Sequence, residues 1–129
     1  MKTVESPKPT NLQLRERSRC LTVTYPGGDS YELTWEFLRV FSPAAGSGKH
    51  GQQSSVLTAG KKQVRLLEIK PAGHYAMQLI FDDGHDSGLY TWGYLHDLCL
   101  NSTARWSRYL DEIHRAGLSR DPSTQILKL

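Results

Sequence analysis

Alternation of apolar and polar positions in the first third of the chain predicts β-strands. Residues 11–15 alternate over a short run, and residues 20–25 alternate again with three β-branched side chains. The turn sequence Pro-Gly-Gly-Asp at 26–29 separates the second run from a third at 30–34. Two alternating runs joined by such a turn indicate a β-hairpin with an additional strand before it.

A second hairpin is predicted in the middle of the chain. Residues 64–69 resume the strand pattern, and Pro-Ala-Gly-His at 71–74 reads as the connecting turn. Residues 75–81 alternate along one face, but Ile80 adds an apolar side chain on the other. Because both faces carry apolar positions, we expect this run to be a central strand.

Helical spacing follows each strand region. Thr34 and Thr91 stand where N-cap residues are preferred, each before an apolar-periodic run. A longer amphipathic helix is predicted from Ser102, with Gly117 as its stop. The pattern predicts an α+β fold: an antiparallel sheet of about five strands (two hairpins plus an edge strand), one short helix and one or two C-terminal helices.

The organisation along the chain follows from the same pattern. Residues 1–8 are predicted to be a disordered tail, 9–100 a domain, and 101–129 a C-terminal helical extension and tail. Residues 43–60 are rich in Gly and Ser and predict a long loop, which in a small domain is typically functional or mobile.

Length and charge narrow the class of protein. A chain of 129 residues suits one core, and no apolar run approaches the roughly 18 residues that span a bilayer. The first nine residues lack the apolar centre of a signal peptide, so the expected location is cytoplasmic. The net charge is +3, but the basic residues are scattered, which argues against nucleic acid as the partner.

The densest group of chemically active side chains lies between Phe81 and Tyr94. This run holds His85 with Asp82, Asp83 and Asp86 around it, three glycines and a serine. The acids and histidine could ligate zinc or iron, yet none of the five histidines has an acid two residues later, as the iron facial triad requires. Alternatively, Asp-Asp-Gly forms a turn in which a carboxylate accepts from nearby amides.

Other catalytic patterns are weak. Ser87 lies near His85, but adjacency in sequence does not make a catalytic triad. Residues 45–49 resemble a phosphate loop without its complete pattern. Cys20 and Cys99 lie far apart and are expected to be reduced and unpaired, with no basic pattern that favours a reactive thiolate.

Several segments together resemble the gamma-butyrobetaine hydroxylase-like N-terminal domain family. The matching segments are Pro9-Thr10, Glu36 to Pro43, Lys49-His50-Gly51, and the run from Tyr75 to Leu95 that contains His85. In the eukaryotic hydroxylases this domain precedes a 2-oxoglutarate dioxygenase domain and holds zinc through three cysteines and one histidine. The resemblance implies that Ser42, Ala44 and Ser47 replace the cysteines here, while His85 matches the histidine. It therefore implies the fold and argues against that zinc site.

Similar domains occur alone in bacteria or fused to ATPases of iron–sulfur cluster assembly. The resemblance thus implies a non-catalytic accessory domain that contacts a protein partner. We expect no resident cofactor and, because no apolar run could span a bilayer, no membrane as a partner. The expected contact residues are His50, His85, Asp86, Tyr90 and Trp92. The alternative is a zinc- or iron-binding protein that uses His85, His50 and a carboxylate.

Overall fold

The structure, a computed structural model, describes residues 7–43, 58–86 and 88–121. Within these ranges the chain forms six strands and three helices. In chain order they are β1 (Asn11–Arg15), β2 (Cys20–Thr24), β3 (Ser30–Thr34), α1 (Trp35–Val40), β4 (Leu66–Ala72), β5 (Ala76–Phe81), β6 (Gly88–Thr91), α2 (Trp92–Leu100) and α3 (Ser102–Arg115).

The α+β class is confirmed, but the strands form two sheets instead of one sheet of about five. Strands β1, β2 and β3 make one antiparallel sheet, and β4, β5 and β6 make another. The central strands are β2 and β5. The additional strand is β6, which the sequence pattern does not predict. Strand β5 is central, as its apolar side chains on both faces indicate.

The second hairpin is shifted from its predicted position. Strand β4 runs to Ala72 and includes Pro71, so the turn lies at residues 73–75. Proline is tolerated here because β4 is an edge strand, where a missing N–H donor disrupts fewer ladder bonds. A bulge between Leu66 and Glu68 leaves the Leu67 side chain half exposed.

Local side-chain caps begin the first two helices, as predicted. The Thr34 hydroxyl accepts from the Phe37 N–H at 3.0 Å, and the Thr91 hydroxyl accepts from the Tyr94 N–H at 3.1 Å. Each helix therefore begins directly after the last residue of a strand, so α1 follows β3 and α2 follows β6 without a loop. Among the described residues, no helix is long and apolar enough to cross a membrane.

One core joins both sheets to the helices. Its largest fully enclosed side chains come from β2, β3, α1, β4, β5, β6 and α2: Trp35, Tyr90, Leu21, Leu33, Leu38, Leu66, Met77, Leu79, Leu95, Leu98 and Val23. Helix α3 adds Tyr109 and Ile113.

The chain after α3 returns to the segment that precedes β4. The Gly60 N–H donates to Ser119 O at 2.9 Å, and the Lys62 N–H donates to Arg120 O at 2.8 Å. The main chain and the side chain of Arg120 are thus both held in place, because its guanidinium also donates two hydrogen bonds to the buried Glu36 carboxylate. Residues 118–121 therefore belong to the folded body.

Candidate functional site

The run that begins at Phe81 forms a tight turn between β5 and β6. Gly84 has φ 89°, a conformation that favours glycine. Asp83 Oδ1 accepts from the His85 N–H at 3.1 Å, and the Phe81 N–H donates to His85 O at 3.0 Å. The turn interpretation of Asp-Asp-Gly is confirmed. We call residues 82–86 the His85 turn.

Two cations hold the Asp83 carboxylate. Arg39 Nε and Lys61 Nζ lie 2.9 Å and 2.6 Å from its Oδ2. Although partial burial would raise the pKa of Asp83, the hydrogen bonds from Lys61, the His85 N–H and Arg39 lower it to about 2. The carboxylate is therefore ionised at neutral pH and anchors the turn to α1.

His85 meets Ser42, which follows α1 in the chain. Ser42 Oγ and His85 Nε2 lie 2.7 Å apart, within hydrogen-bond distance. Burial, followed by the nearby Arg39 cation, lowers the pKa of His85 below its usual 6.5, so the imidazole is neutral at pH 7. Gly88 allows the start of β6 to approach Ser42 closely, because a Cβ at this position would lie 2.5 Å from Ser42 Oγ.

Two tyrosines fix the same segment. Tyr90 donates its hydroxyl hydrogen to Leu38 O at 2.5 Å, and Tyr94 donates to Phe41 O at 2.6 Å. Burial raises the pKa of both phenols, and both remain donors. Since Tyr90 is fully buried, its prediction as an exposed contact residue is wrong: strand alternation turns its side chain into the core.

The other predicted contact residues do not form one cluster. Asp86 is exposed and lies next to His85, which is half-buried. Trp92, also half-buried, follows the opposite end of β6, where its indole N–H donates to His74 O at 2.8 Å. His50 lies outside the described residues.

The residues present do not fit the zinc ion that the similar domain holds in the eukaryotic hydroxylases, as the resemblance implies. Of the four matched positions, the described ones hold Ser42 and His85, while Ala44 and Ser47 lie outside the described ranges. Within those ranges, no group of three or more His, Cys, Asp or Glu side chains is placed to hold a metal ion. Ser42 Oγ instead lies within hydrogen-bond distance of His85 Nε2.

Ser42 is the site residue whose role the sequence analysis missed, since the nearby Ser87 was weighed as the partner of His85. Ser87 lies outside the described residues. A signal for Ser42 was available, because the resemblance matches both Ser42 and His85 to ligands of one ion. Positions that bind one ion must lie within a few ångströms of each other.

The Ser42–His85 pair does not have the geometry of an activated nucleophile. Ser42 is buried, with an exposed fraction of 6%. Asp83 binds the main-chain N–H of His85 and two cations, not the imidazole. A catalytic base needs an orienting partner on its second ring nitrogen. The arrangement holds two segments together.

The two cysteines are free and buried, as expected. Burial raises the pKa of the Cys99 thiol to about 11 and raises that of Cys20. Both thiols are therefore protonated at neutral pH and poor nucleophiles.

A surface groove lies away from the His85 turn. It has a volume of about 470 Å³ between α1 and α3, and its walls include Phe37, Trp106 and Leu110. Of the contact and ligand residues predicted from the sequence, the described ones (His85, Asp86, Tyr90 and Trp92) do not line it.

The comparison with protein-family models identifies the family. The family model described as gamma-butyrobetaine hydroxylase-like, N-terminal, matches residues 12–96. The comparison with curated proteins found no match.

Solved structures resemble the whole fold. One solution NMR structure is 46% identical, with a TM-score of 0.81 over 97% of this chain and 98% of that one. A second is 40% identical, with a TM-score of 0.80 over 100% and 97% of the two chains. A crystal structure from Acidithiobacillus ferrooxidans, described as a protein of unknown function in the DUF971 family, is 39% identical. Its TM-score is 0.58 over 70% of this chain and 90% of that one. The chain belongs to the gamma-butyrobetaine hydroxylase-like N-terminal domain family.

Proposed function

We propose that this protein is a non-catalytic interaction domain that binds a protein partner through the outer face of the β4–β6 sheet. The observation that carries this proposal is a set of apolar side chains on that face. Leu67 and Leu89 are 52% and 42% exposed, and Ile80 is partly exposed between β4 and β6. We call these three residues, with Asp86, the contact face. Grouped exposed apolar side chains are typical of interaction surfaces.

Strand alternation places the Ile80 and Leu89 side chains on one side of the sheet. In β6, Gly88 and Tyr90 are buried and Leu89 between them is exposed. In β5, Ile80 lies between the buried Leu79 and Phe81. Side chains of a strand alternate between faces, so Ile80 and Leu89 both point away from the core.

Hydrogen bonds on the core side of the sheet hold the contact face in place. The bonds of Ser42, Tyr90 and Tyr94 fasten the segment after α1 to β6 and the start of α2. The main-chain oxygen of Asp86 accepts from Gln78 Nε2 at 2.5 Å, which fixes the turn against β5. A preorganised surface loses little conformational entropy on binding.

Charge at the rim indicates the chemistry of the partner. Glu68 and Asp86 are exposed beside the apolar side chains, with Lys70 farther along β4. A complementary partner presents an apolar side chain flanked by a cation. The first partners to test are proteins of iron–sulfur or 2-oxoglutarate oxygenase metabolism, with which similar domains are associated.

The test compares two leucine substitutions in an affinity capture with crosslinking. Leu89→Asp places a charge on the contact face, while Leu100→Asp places one at the 57% exposed end of α2. We expect a partner that is captured by the wild type and by Leu100→Asp and lost with Leu89→Asp. Equal capture by both variants would contradict the proposal.

Metal binding through His85, His50 and a carboxylate is the competing proposal. Elemental analysis of the purified wild type and of His85→Ala separates the two. Stoichiometric zinc or iron that disappears in the variant would replace the interaction role with a metal-binding one. Metal-free, folded wild-type protein would remove the alternative.

A further inference from the structure

A second cavity lies beside the groove between α1 and α3 and shares Thr34, Glu36 and Arg120 with it, where the β1–β2 turn meets the start of α1 and the residues before β4. Its volume is about 260 Å³, and its walls include Arg19, Trp35, Glu36, Lys62 and Arg120. The residues of the contact face do not line it.

Trp35 lines this cavity and carries an unsatisfied donor. Its side chain is 1% exposed, and its indole N–H has no acceptor among the residues that the structure describes. Trp92, in contrast, donates its indole hydrogen to a main-chain oxygen. Buried donors are nearly always paired with protein, water or ligand, so an orphaned N–H beside a cavity points to a missing acceptor.

Arg19 is held at the same wall in a strained backbone conformation. Its φ is 54°, a left-handed value that is uncommon for a residue with a side chain. Its Nη2 donates to Gln63 O and Val64 O at 2.7 Å and 2.8 Å, and its guanidinium lies 5.3 Å from the centroid of the Trp35 ring. Strained residues concentrate at functional sites, where the side chain has a use that glycine could not supply.

The charge of the wall is positive. Arg19, Lys62 and Arg120 contribute cations, and Glu36 is the carboxylate opposite them, bound to Arg120 at 2.8 Å. Lys62 lies 3.8 Å from the exposed Asp121, a distance at which solvent weakens the pairing. The cavity thus combines excess cationic charge with a donor that needs an acceptor.

We propose that this cavity binds a small oxyanion, a carboxylate or a phosphate, that accepts from the Trp35 indole N–H and lies against Arg19 and Lys62. Because the indole nitrogen is enclosed, the ligand reaches it only when the Arg19 and Lys62 side chains move, which breaks the Arg19 hydrogen bonds to Gln63 O and Val64 O. This site is independent of the proposed contact face.

The test observes the indole N–H signals of the three tryptophans by ¹H–¹⁵N NMR. The folded protein is titrated with inorganic phosphate and, separately, with succinate, against sodium chloride at equal ionic strength. We expect one of the two anions to shift the Trp35 signal saturably while the Trp92 and Trp106 signals stay in place. The anion that does so identifies the ligand class. No saturable shift with either, or the same shift with chloride, would overturn the proposal.

Matched variants separate a built site from general charge attraction. Arg19→Gln and Arg17→Gln remove the same charge, but Arg17 is exposed and does not line the cavity. We expect Arg19→Gln to weaken binding by about tenfold or more, since a charge-assisted contact is lost, and Arg17→Gln to leave it within about twofold. Equal losses would contradict the site. Lys62→Gln, at a half-exposed side chain, provides a second loss variant if Arg19→Gln fails to fold.

Discussion

At the scale of single residues, Ser42 and His85 define how the candidate site is held together. In the relatives described by the resemblance, an ion joins these two positions. Here a contact of 2.7 Å between Ser42 Oγ and His85 Nε2 does so, and Gly88 leaves the space for it. A hydrogen bond of this kind is weaker than a metal bridge, and we expect it to fix the segment after α1 without creating a reactive centre.

A double-mutant cycle tests this close packing. Ser42→Ala is expected to lower the free energy of unfolding by about 1–2 kcal/mol, because a largely buried hydrogen bond is lost. Gly88→Ala is expected to cost about 1–3 kcal/mol, because the new methyl group overlaps Ser42 Oγ. In the Ser42→Ala background the second penalty should shrink, and urea unfolding of the four proteins measures the coupling. Strict additivity would show that the two residues do not touch.

The protonation of His85 makes stability depend on pH. Its pKa in the folded protein is lowered from 6.5, first by burial and then by Arg39, so the unfolded chain binds the proton more readily. The contribution to stability is therefore complete above pH 6.5 and declines as the pH falls below that value. We expect the free energy of unfolding to fall between pH 7.5 and 5.5 less steeply in His85→Gln than in the wild type. Identical slopes would contradict the assignment.

At the scale of elements, short-range chemistry explains which parts were predictable. The caps at Thr34 and Thr91 and the turn glycine Gly84 depend on neighbours within a few residues, so the sequence displays them directly. Strand β6 has no such local signal. It has four residues, begins with a glycine and follows a run of turn formers, so its own sequence has little strand propensity. Its hydrogen bonds with β5 stabilise it as a strand.

The same reason explains the error at Tyr90. Side chains in a strand alternate between core and solvent. Because the sequence pattern did not predict β6, it could not indicate which side chains of this segment point to the core. Asp86, another expected contact residue, lies in the His85 turn and is exposed. The partnership of Ser42 with His85 spans 43 residues of sequence, and no local pattern encodes such a contact.

Tyr90 tests the attachment of β6 to α1. In Tyr90→Phe the Leu38 carbonyl loses its buried donor, and we expect the free energy of unfolding to fall by about 1–3 kcal/mol. Tyr75→Phe is the matched control, since Tyr75 is 58% exposed, and a change below about 0.5 kcal/mol is expected there. Equal effects of the two substitutions in urea unfolding would show that the Tyr90 hydroxyl bond contributes nothing.

At the scale of the whole molecule, the segment after α3 stabilises the domain. Arg120 makes two hydrogen bonds with Glu36, whose side chain is 7% exposed, and stacks 5.3 Å from the centroid of Trp106. The contact joins α1 to residues 84 positions later in the chain. The sequence pattern ends the predictable structure at the Gly117 stop and gives no sign of this return, because a single ion pair leaves no periodic signal.

Removal of Arg120 leaves a buried carboxylate without its partner. We expect Arg120→Ala to lower the free energy of unfolding by about 2–4 kcal/mol, somewhat less than for a fully enclosed pair because Arg120 is a third exposed. Lys62→Ala, whose pair with Asp121 is exposed on both sides, should change it by less than about 0.5 kcal/mol. Thermal and urea unfolding measure both, and similar losses would contradict the role of the Glu36 pair.

The central proposal is that the contact face binds a protein partner, and methyl NMR of the complex tests it most directly. The captured partner is added to protein labelled at the methyl groups of leucine and isoleucine. The proposal predicts shifts or broadening at Leu67, Ile80 and Leu89, with the exposed Leu100 and Leu118 unchanged. Perturbation of Leu100 or Leu118 with the contact face unchanged would contradict it.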